Sequence, residues 1–348
     1  MKARYLVVSC IALLGLGIAA QAVTIATVPV GNAGNAGDAR YGSAYQGYGP
    51  ATYGSVGYNY NIGKYEVTAG QYTDFLNAKA TVSDPYGLYS TYMWNNSAGC
   101  KIQRSGGGTV PNPYTYTVAS DWANRPVNYV SYWDSCRFAN WLGNGQGAGS
   151  TETGAYTLGG YNGWDGRTIQ RNANWKWAVT SEDEWYKAAY YKGGNTTAGY
   201  WDYPTKSDTA PANQVLPTDP GNSANYYINN YSIGSPYYRT NVGEFENSGS
   251  AYGTFDQGGN VWEVNEAIVY QDTNDTYRGV RGGSYRNYDG TGILQASYRR
   301  NGYYYYYHPS DEIYCIGFRV SQVVPEPSSI MALAGGLISL LSIRRRRV

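Results

Sequence analysis

Short stretches of regular hydrophobic spacing are separated by long polar, glycine-rich intervals. Thr24 to Val30 alternates in the manner of a strand, and Tyr58 to Val67 predicts a second one. Thr68 then caps a helix over Ala69 to Ala78, with Tyr72, Phe75 and Leu76 spaced three and four apart on one face. Asn128 to Leu142 predicts a short strand and then a helix, with Trp133, Arg137 and Trp141 on one face and Phe138 beside them. Gly143 ends that helix and opens a glycine-rich loop. Within Ala178 to Tyr191, Ser181 and Glu184 form a capping box, each side chain satisfying a first-turn amide near the other. Trp185, Ala188 and Ala189 form its buried stripe, and Gly193 and Gly194 stop it. From Gly199 to Phe255 proline, asparagine, glycine and tyrosine predict loops without a helix. A strand is predicted across Tyr277 to Tyr285 and a closing one at Gly317 to Val320. No repeat of about 20 to 50 residues is visible, which excludes a solenoid or propeller.

Composition sharpens this picture. The chain of 348 residues holds 45 glycines and 40 tyrosines but only 15% charged residues. Tyrosine supplies rigid contact area with one polar tip, so a loop-rich body held by aromatic packing is expected, not a helix bundle. The same tyrosines suit a glycan- or protein-binding face. Six of the 26 basic residues lie in the two terminal segments, against one of the 25 acidic residues, so the body is mildly acidic. That argues against a nucleic-acid partner and against docking on anionic lipid. The single histidine, His308, excludes a multi-histidine zinc or iron site.

Both ends are read as targeting segments. Lys2 and Arg4 precede the apolar run Tyr5 to Ala20, and Ala20-Gln21-Ala22 fits a small-x-small cleavage site, so residues 1–22 are expected to be a signal peptide. At the other end Val324-Pro325-Glu326-Pro327 leads into an uncharged stretch, Ser328 to Ile343, closed by Arg344 to Arg347. As a helix that stretch would span about 24 Å, slightly short of a roughly 30 Å hydrocarbon core, with its arginines at the cytoplasmic face. The body is thus 23–322 and the tail 323–348. Of the four cysteines, Cys10 sits in the leader, which leaves Cys100, Cys136 and Cys315. In an exported chain thiols oxidise, so Cys100 and Cys136 are expected to form a disulfide.

Six segments occur in a telling order: GKYEVTAGQYTDFLNA from Gly63, RPVNYVSYWDSCRFANWL from Arg125, SEDEWYKAA from Ser181, GGNVWE from Gly258, VRGGSY from Val280 and IGFRV from Ile316. In that order they resemble the formylglycine-generating enzyme / sulfatase-modifying-factor family across Tyr58 to Val320. The resemblance implies an α+β fold of the C-type-lectin-like kind, irregular and loop-rich, with small antiparallel sheets and two main helices. The tail resembles the PEP-CTERM sorting signal, which implies export from a Gram-negative bacterium, an exosortase partner that processes the tail, and membrane contact only through it.

The family's enzymes use two cysteines after GGSY to bind copper and oxidise a sulfatase cysteine. Those positions fall on Asn287 and near Gly292, and neither side chain offers a thiolate. Copper is therefore not expected, nor is cysteine-dependent formylglycine formation. A calcium ion is implied by the family's second site, matched by Asp256, Gly259, Val261 and Glu263, since hard oxygen donors on a glycine-bearing turn suit Ca²⁺. The family's first site would use Asn225 and the carbonyl of Tyr226. Arg281, Arg299 and Arg319 are read as structural, stacking on rings and bonding loop carbonyls. Tyr303 to Tyr307 with His308 cannot all face inward in an extended chain, so Tyr303, Tyr305, Tyr307 and His308 are the expected ligand-binding surface. The resulting expectation is an exported, non-catalytic protein that binds a glycan or a surface protein. A metal-dependent enzyme of different chemistry and a purely structural matrix component are the alternatives.

Overall fold

A computed structural model describes residues 22–42, 50–286, 290–299 and 307–324. The chain is α+β and loop-rich. Strands β1 (Thr27–Val30) and β2 (Tyr60–Gly63) lead to helix α1 (Ala69–Lys79). Short helices α2 (Tyr92–Asn95) and α3 (Ser120–Ala123) flank the hairpin of β3 (Gln103–Ser105) and β4 (Thr115–Thr117). Next come α4 (Tyr132–Gly143), β5 (Trp177–Val179) and α5 (Glu182–Tyr190). The C-terminal part adds β6 (Trp262–Gln271), β7 (Thr276–Arg281), β8 (Ile316–Phe318) and β9 (Val320–Val323). Among the described residues three helices exceed two turns, α4 being the most buried.

Capping chemistry sets all three. Thr68, Ser131 and Ser181 each accept a hydrogen bond from the amide three residues on, and Gln71, Asp134 and Glu184 reach back to the cap amide. Removing such a cap typically costs about 1 kcal/mol. The box expected at Ser181 is joined by one at Ser131 and one at Thr68, expected only as a cap.

Two sheets share the C-terminal strands. One has the order β1-β2-β9-β5 and is antiparallel throughout. The other has the order β7-β6-β8, where β6 and β7 are antiparallel but β6 and β8 run parallel, Glu263 opposite Gly317. The β6–β8 pair is the parallel one within otherwise antiparallel sheets. The chain changes sheets at Arg319, between β8 and β9.

The main core lies between α1, α4 and these strands. Phe138 of α4 meets Phe75 edge-on at 5.4 Å and Phe318 of β8 edge-on at 5.3 Å, while Tyr72 stacks on it at 6.1 Å. Such pairs contribute roughly 0.5–1.5 kcal/mol each beyond area burial. A second cluster, Trp185, Tyr186 and Tyr190 of α5 with Tyr53 and Tyr200, ties the N-terminal loop to the body. The tyrosine excess is thus largely spent on packing.

Candidate functional site

An open aromatic face lies where the β6–β7 hairpin meets residues 161–167 and 307–311. His308 sits at its centre. Its ring stacks on Trp164 at 4.9 Å with 30° between planes, and packs against Tyr277 at 4.6 Å; Tyr270 continues the row 5.5 Å from Tyr277. Trp164 is 62% exposed and Tyr270 45% exposed. One face of the indole is covered by the imidazole, and the exposed area belongs to the rest of the ring.

Each part is held from below. Trp133 of α4 donates its ring N–H to the carbonyl of Gly163 at 2.8 Å. Gly166, at φ +68°, passes so close to the Trp133 ring that a Cβ would lie 2.4 Å from it, so a side chain there would displace the loop. Asp165 accepts from Arg167 at 2.7 Å and from the Thr276 hydroxyl at 2.9 Å, which fastens the Trp164 loop to β7. The 307–311 segment is fastened by the amide of Tyr132 to the carbonyl of Pro309 at 2.9 Å, and by Arg278 N–H to the carbonyl of Tyr307 at 3.0 Å.

Carboxylates ring the stack. The His308 Nε2 is 3.5 Å from Asp275 and its Nδ1 3.6 Å from Asp311, which also accepts the His308 amide at 2.9 Å. Asp272 caps the hairpin turn by accepting the amides of Asn274 and Asp275, and those bonds hold its carboxyl below the usual range. Asp165 is held low first by its bond from Arg167. Both therefore stay ionised.

The sequence-predicted residues fall differently. His308 lies beneath the open face, stacked on Trp164 and partly buried. Tyr307 does not belong to that face: it is 2% exposed, with its hydroxyl donating to the carbonyl of Val130 at 3.3 Å. It is the inward-facing member that strand-like alternation demands. Tyr303 and Tyr305 lie outside the described residues, as does Asn287. Gly292 lies in a 3₁₀ turn, Gly290–Leu294, with open space where a side chain would be. Trp164 was missed from the sequence. Its signal is a lone tryptophan between glycines, in Gly163-Trp164-Asp165-Gly166, which reads equally well as packing.

The expected disulfide is corrected. Cys100 and Cys136 are free buried thiols, and Cys315 is also buried. Cys100 points at the carbonyl of Asn128, 3.8 Å away, whereas Cys136 sits on α4 next to Tyr132. Burial pushes both thiols above their ordinary value, which disfavours the reactive thiolate.

The calcium donor set is also arranged otherwise. Glu263 gives both oxygens to Arg319, at 2.7 and 2.9 Å, and one of them also accepts the Trp185 ring N–H at 2.8 Å. Asp256 accepts the amide of Gly243 at 2.6 Å, and burial pushes its carboxyl up to about 6. Asn225 donates to the Tyr238 carbonyl and to Asn260, each at 3.0 Å, and the Tyr226 hydroxyl donates to Pro211 at 2.6 Å. Gly259, φ +87°, brings its backbone against Asn225, and Val261 donates its amide to Glu66 at 3.4 Å. With a guanidinium in its fork, the Glu263 carboxylate is not free to serve as a calcium ligand. Among the described residues no group of three or more His, Cys, Asp or Glu side chains is placed to hold a metal.

The three arginines are structural. Glu182 on α5 bonds Arg281 and Arg299 at 2.8 Å each, and Arg319 also bonds the carbonyls of Gly63 and Phe255. Burial alone would raise the Glu182 carboxyl, but the two arginines outweigh it and bring it down to about 2.

Residues 23–323 match the sulfatase-modifying factor enzyme 1-like domain. The chain belongs to that family. Residues 323–347 match the PEP-CTERM protein-sorting motif, which marks this sulfatase-modifying-factor-like protein for export, for processing by exosortase-type machinery, and for a membrane-anchored C-terminal tail in Gram-negative cells. That tail lies outside the described residues, among which no helix is long and apolar enough to cross a membrane. No curated protein matches. Solved structures similar to the chain include CarF, at 19% identity over 87% of this chain and 99% of that one, with a TM-score of 0.48. PvdO from Pseudomonas aeruginosa is 19% identical over 86% and 94%, with a TM-score of 0.46. Treponema denticola variable protein 1 is 18% identical over 87% and 96%, with a TM-score of 0.43. The α+β, loop-rich fold with small sheets is the one the formylglycine-generating enzyme resemblance implies.

Proposed function

We propose that this exported domain is a non-catalytic binding protein of the cell surface or exopolysaccharide matrix, which takes a glycan or protein ligand on the face around His308. One observation carries the reading: Trp164, the most exposed large aromatic ring among the described residues, is held open by His308 and by the anchoring of Gly163 and Asp165. A preformed aromatic anchor costs little entropy to bind with. By contrast, the positions of the family's copper-binding cysteines carry Asn287 and Gly292, so soft-metal thiol chemistry has no ligands there. Two assays test the reading. Incubation with a sulfatase-motif peptide, copper and oxygen should leave the peptide cysteine unmodified; conversion to the aldehyde would overturn the non-catalytic part. Trp164→Ala should reduce adhesion to the host's surface polymer without lowering the melting temperature, and unchanged adhesion would remove the His308 face from the account.

A further inference from the structure

If the His308 face binds a ligand, as proposed above, its charge narrows what that ligand is. The open ring of Trp164 is bordered by Asp165, and the imidazole behind it by Asp275 and Asp311. Asp272 closes the hairpin on the same side, near enough for Arg167 and His308 to influence its charge. Among the described residues the basic groups beside this stack are Arg167, already bonded to Asp165, and His308 itself. An anionic polymer such as a polyuronate would meet four carboxylates at this face and be repelled. A neutral sugar would stack on the indole but would bring no cation to a rim in which Asp165 is the carboxylate paired with a guanidinium. A ring that carries an ammonium group satisfies both features: its apolar face lies on Trp164, and the cation is attracted by the electron-rich rings and by the Asp rim.

We propose that the face recognises an amino sugar with a free, protonated amine, presented in a polysaccharide of glucosamine type. Trp164 is the platform. Asp275 and Asp311 are the specificity residues for the ammonium, and His308 keeps Trp164 open by backing its inner face. A flexible lysine chain also brings a cation, but it offers no flat apolar ring to cover the indole and loses more rotamer freedom on binding. The exposed shape therefore favours the sugar over a basic peptide.

The test uses the exported protein purified from its host, titrated calorimetrically in a buffer that keeps the amine protonated. The probes are a glucosamine hexamer, an N-acetylglucosamine hexamer, cellohexaose and hexalysine. The glucosamine hexamer should bind at least about tenfold more tightly than the N-acetylated one, a difference of about 1.4 kcal/mol. Asp275→Asn with Asp311→Asn should remove that preference and leave weak stacking on all three sugars. Trp164→Ala should abolish titration of all three, while Trp164→Phe keeps most of it, which separates a lost platform from a misfolded loop. Equal binding of the acetylated and free-amine hexamers would overturn the proposal, and so would tighter binding of hexalysine, which would point to a basic protein partner. Failure of every probe to titrate would also overturn it. The broader binding role then stands or falls separately, on whether Trp164→Ala still adheres to the host's surface polymer.

Discussion

Glu263 and Arg319 face each other in a two-bond fork with both side chains fully buried. Glu263 belongs to β6, and Arg319 is the residue at which the chain leaves the β6 sheet for the β2 sheet. The pair therefore pins the two sheets together, and Arg319 extends the joint to the carbonyls of Gly63 and Phe255. Breaking a buried pair leaves an uncompensated charge, which typically costs about 3–5 kcal/mol. Arg319→Leu should lose that much in denaturant unfolding, and Arg319→Lys should recover little, because an ammonium cannot fill the fork. A loss below about 1 kcal/mol would show that the sheets are held elsewhere.

The same fork predicts the response to calcium. A ligand of the native state raises its stability, so a calcium site would separate melting curves recorded with calcium and with EDTA. The two curves are expected to superimpose, because Arg319 already occupies the Glu263 oxygens. A calcium-dependent rise that disappears in Asp256→Ala would show that the arginine yields the carboxylate to the ion.

Stability should fall as pH rises through neutrality. Burial pushes Asp134 up to about 7, against the hydrogen bonds from Ser131, and burial together with the charge of Asp134 pushes Glu312 up to about 8. Folded values above the unfolded ones mean that the protonated forms favour folding. Their contribution is complete below the unfolded carboxylate range and is lost as pH climbs from about 5 to about 8. Denaturant midpoints should therefore be higher at about pH 5.5 than at about pH 8.5, and Glu312→Gln should flatten the slope. A midpoint that rises over this interval would contradict the assignment.

No disulfide is expected among Cys100, Cys136 and Cys315. Peptide mapping without reduction should recover all three unlinked, and alkylation should label them only after unfolding. A Cys100–Cys136 linked peptide would require the Asn128 contact of Cys100 to be broken.

The residues just after the expected signal junction are tied to the body. Val23 donates its amide to Gln146 at 2.5 Å and accepts from the same side chain at 2.8 Å, and the Thr24 carbonyl accepts from Gln71 at 3.0 Å. Cleavage after Ala22 would leave the new amino group on Gln146. Intact mass should place the mature N-terminus at Val23, and Gln146→Ala should lower the melting temperature by a few degrees, as the loss of about 1 kcal/mol does for domains of this size. A start several residues further on would remove the clasp.

Much of the fold was legible because it rests on local chemistry. Thr68 and Ser181 announced their helices through capping, and the six ordered segments carried the family. Strand β6 was not legible: Trp262 to Asn265 are all buried, so the alternation that marks a half-buried strand is missing, and Glu263 reads as polar until its partner Arg319 is seen 56 residues away. At the site, His308 stood out as the only histidine, but the rings it meets come from two segments distant in sequence. Tyr307 and Trp164 show the limit most clearly. Both are aromatic residues in irregular loops, and only the tertiary contacts decide that Tyr307 faces Val130 while Trp164 faces solvent.

The most direct measurement of the central claim is adhesion of the exported protein to its host's surface polymer, wild type against Trp164→Ala, at matched fold stability. A preformed, exposed aromatic anchor on the face predicts at least about a tenfold loss of binding in the variant. Adhesion equal to wild type, with the fold intact, would contradict the account.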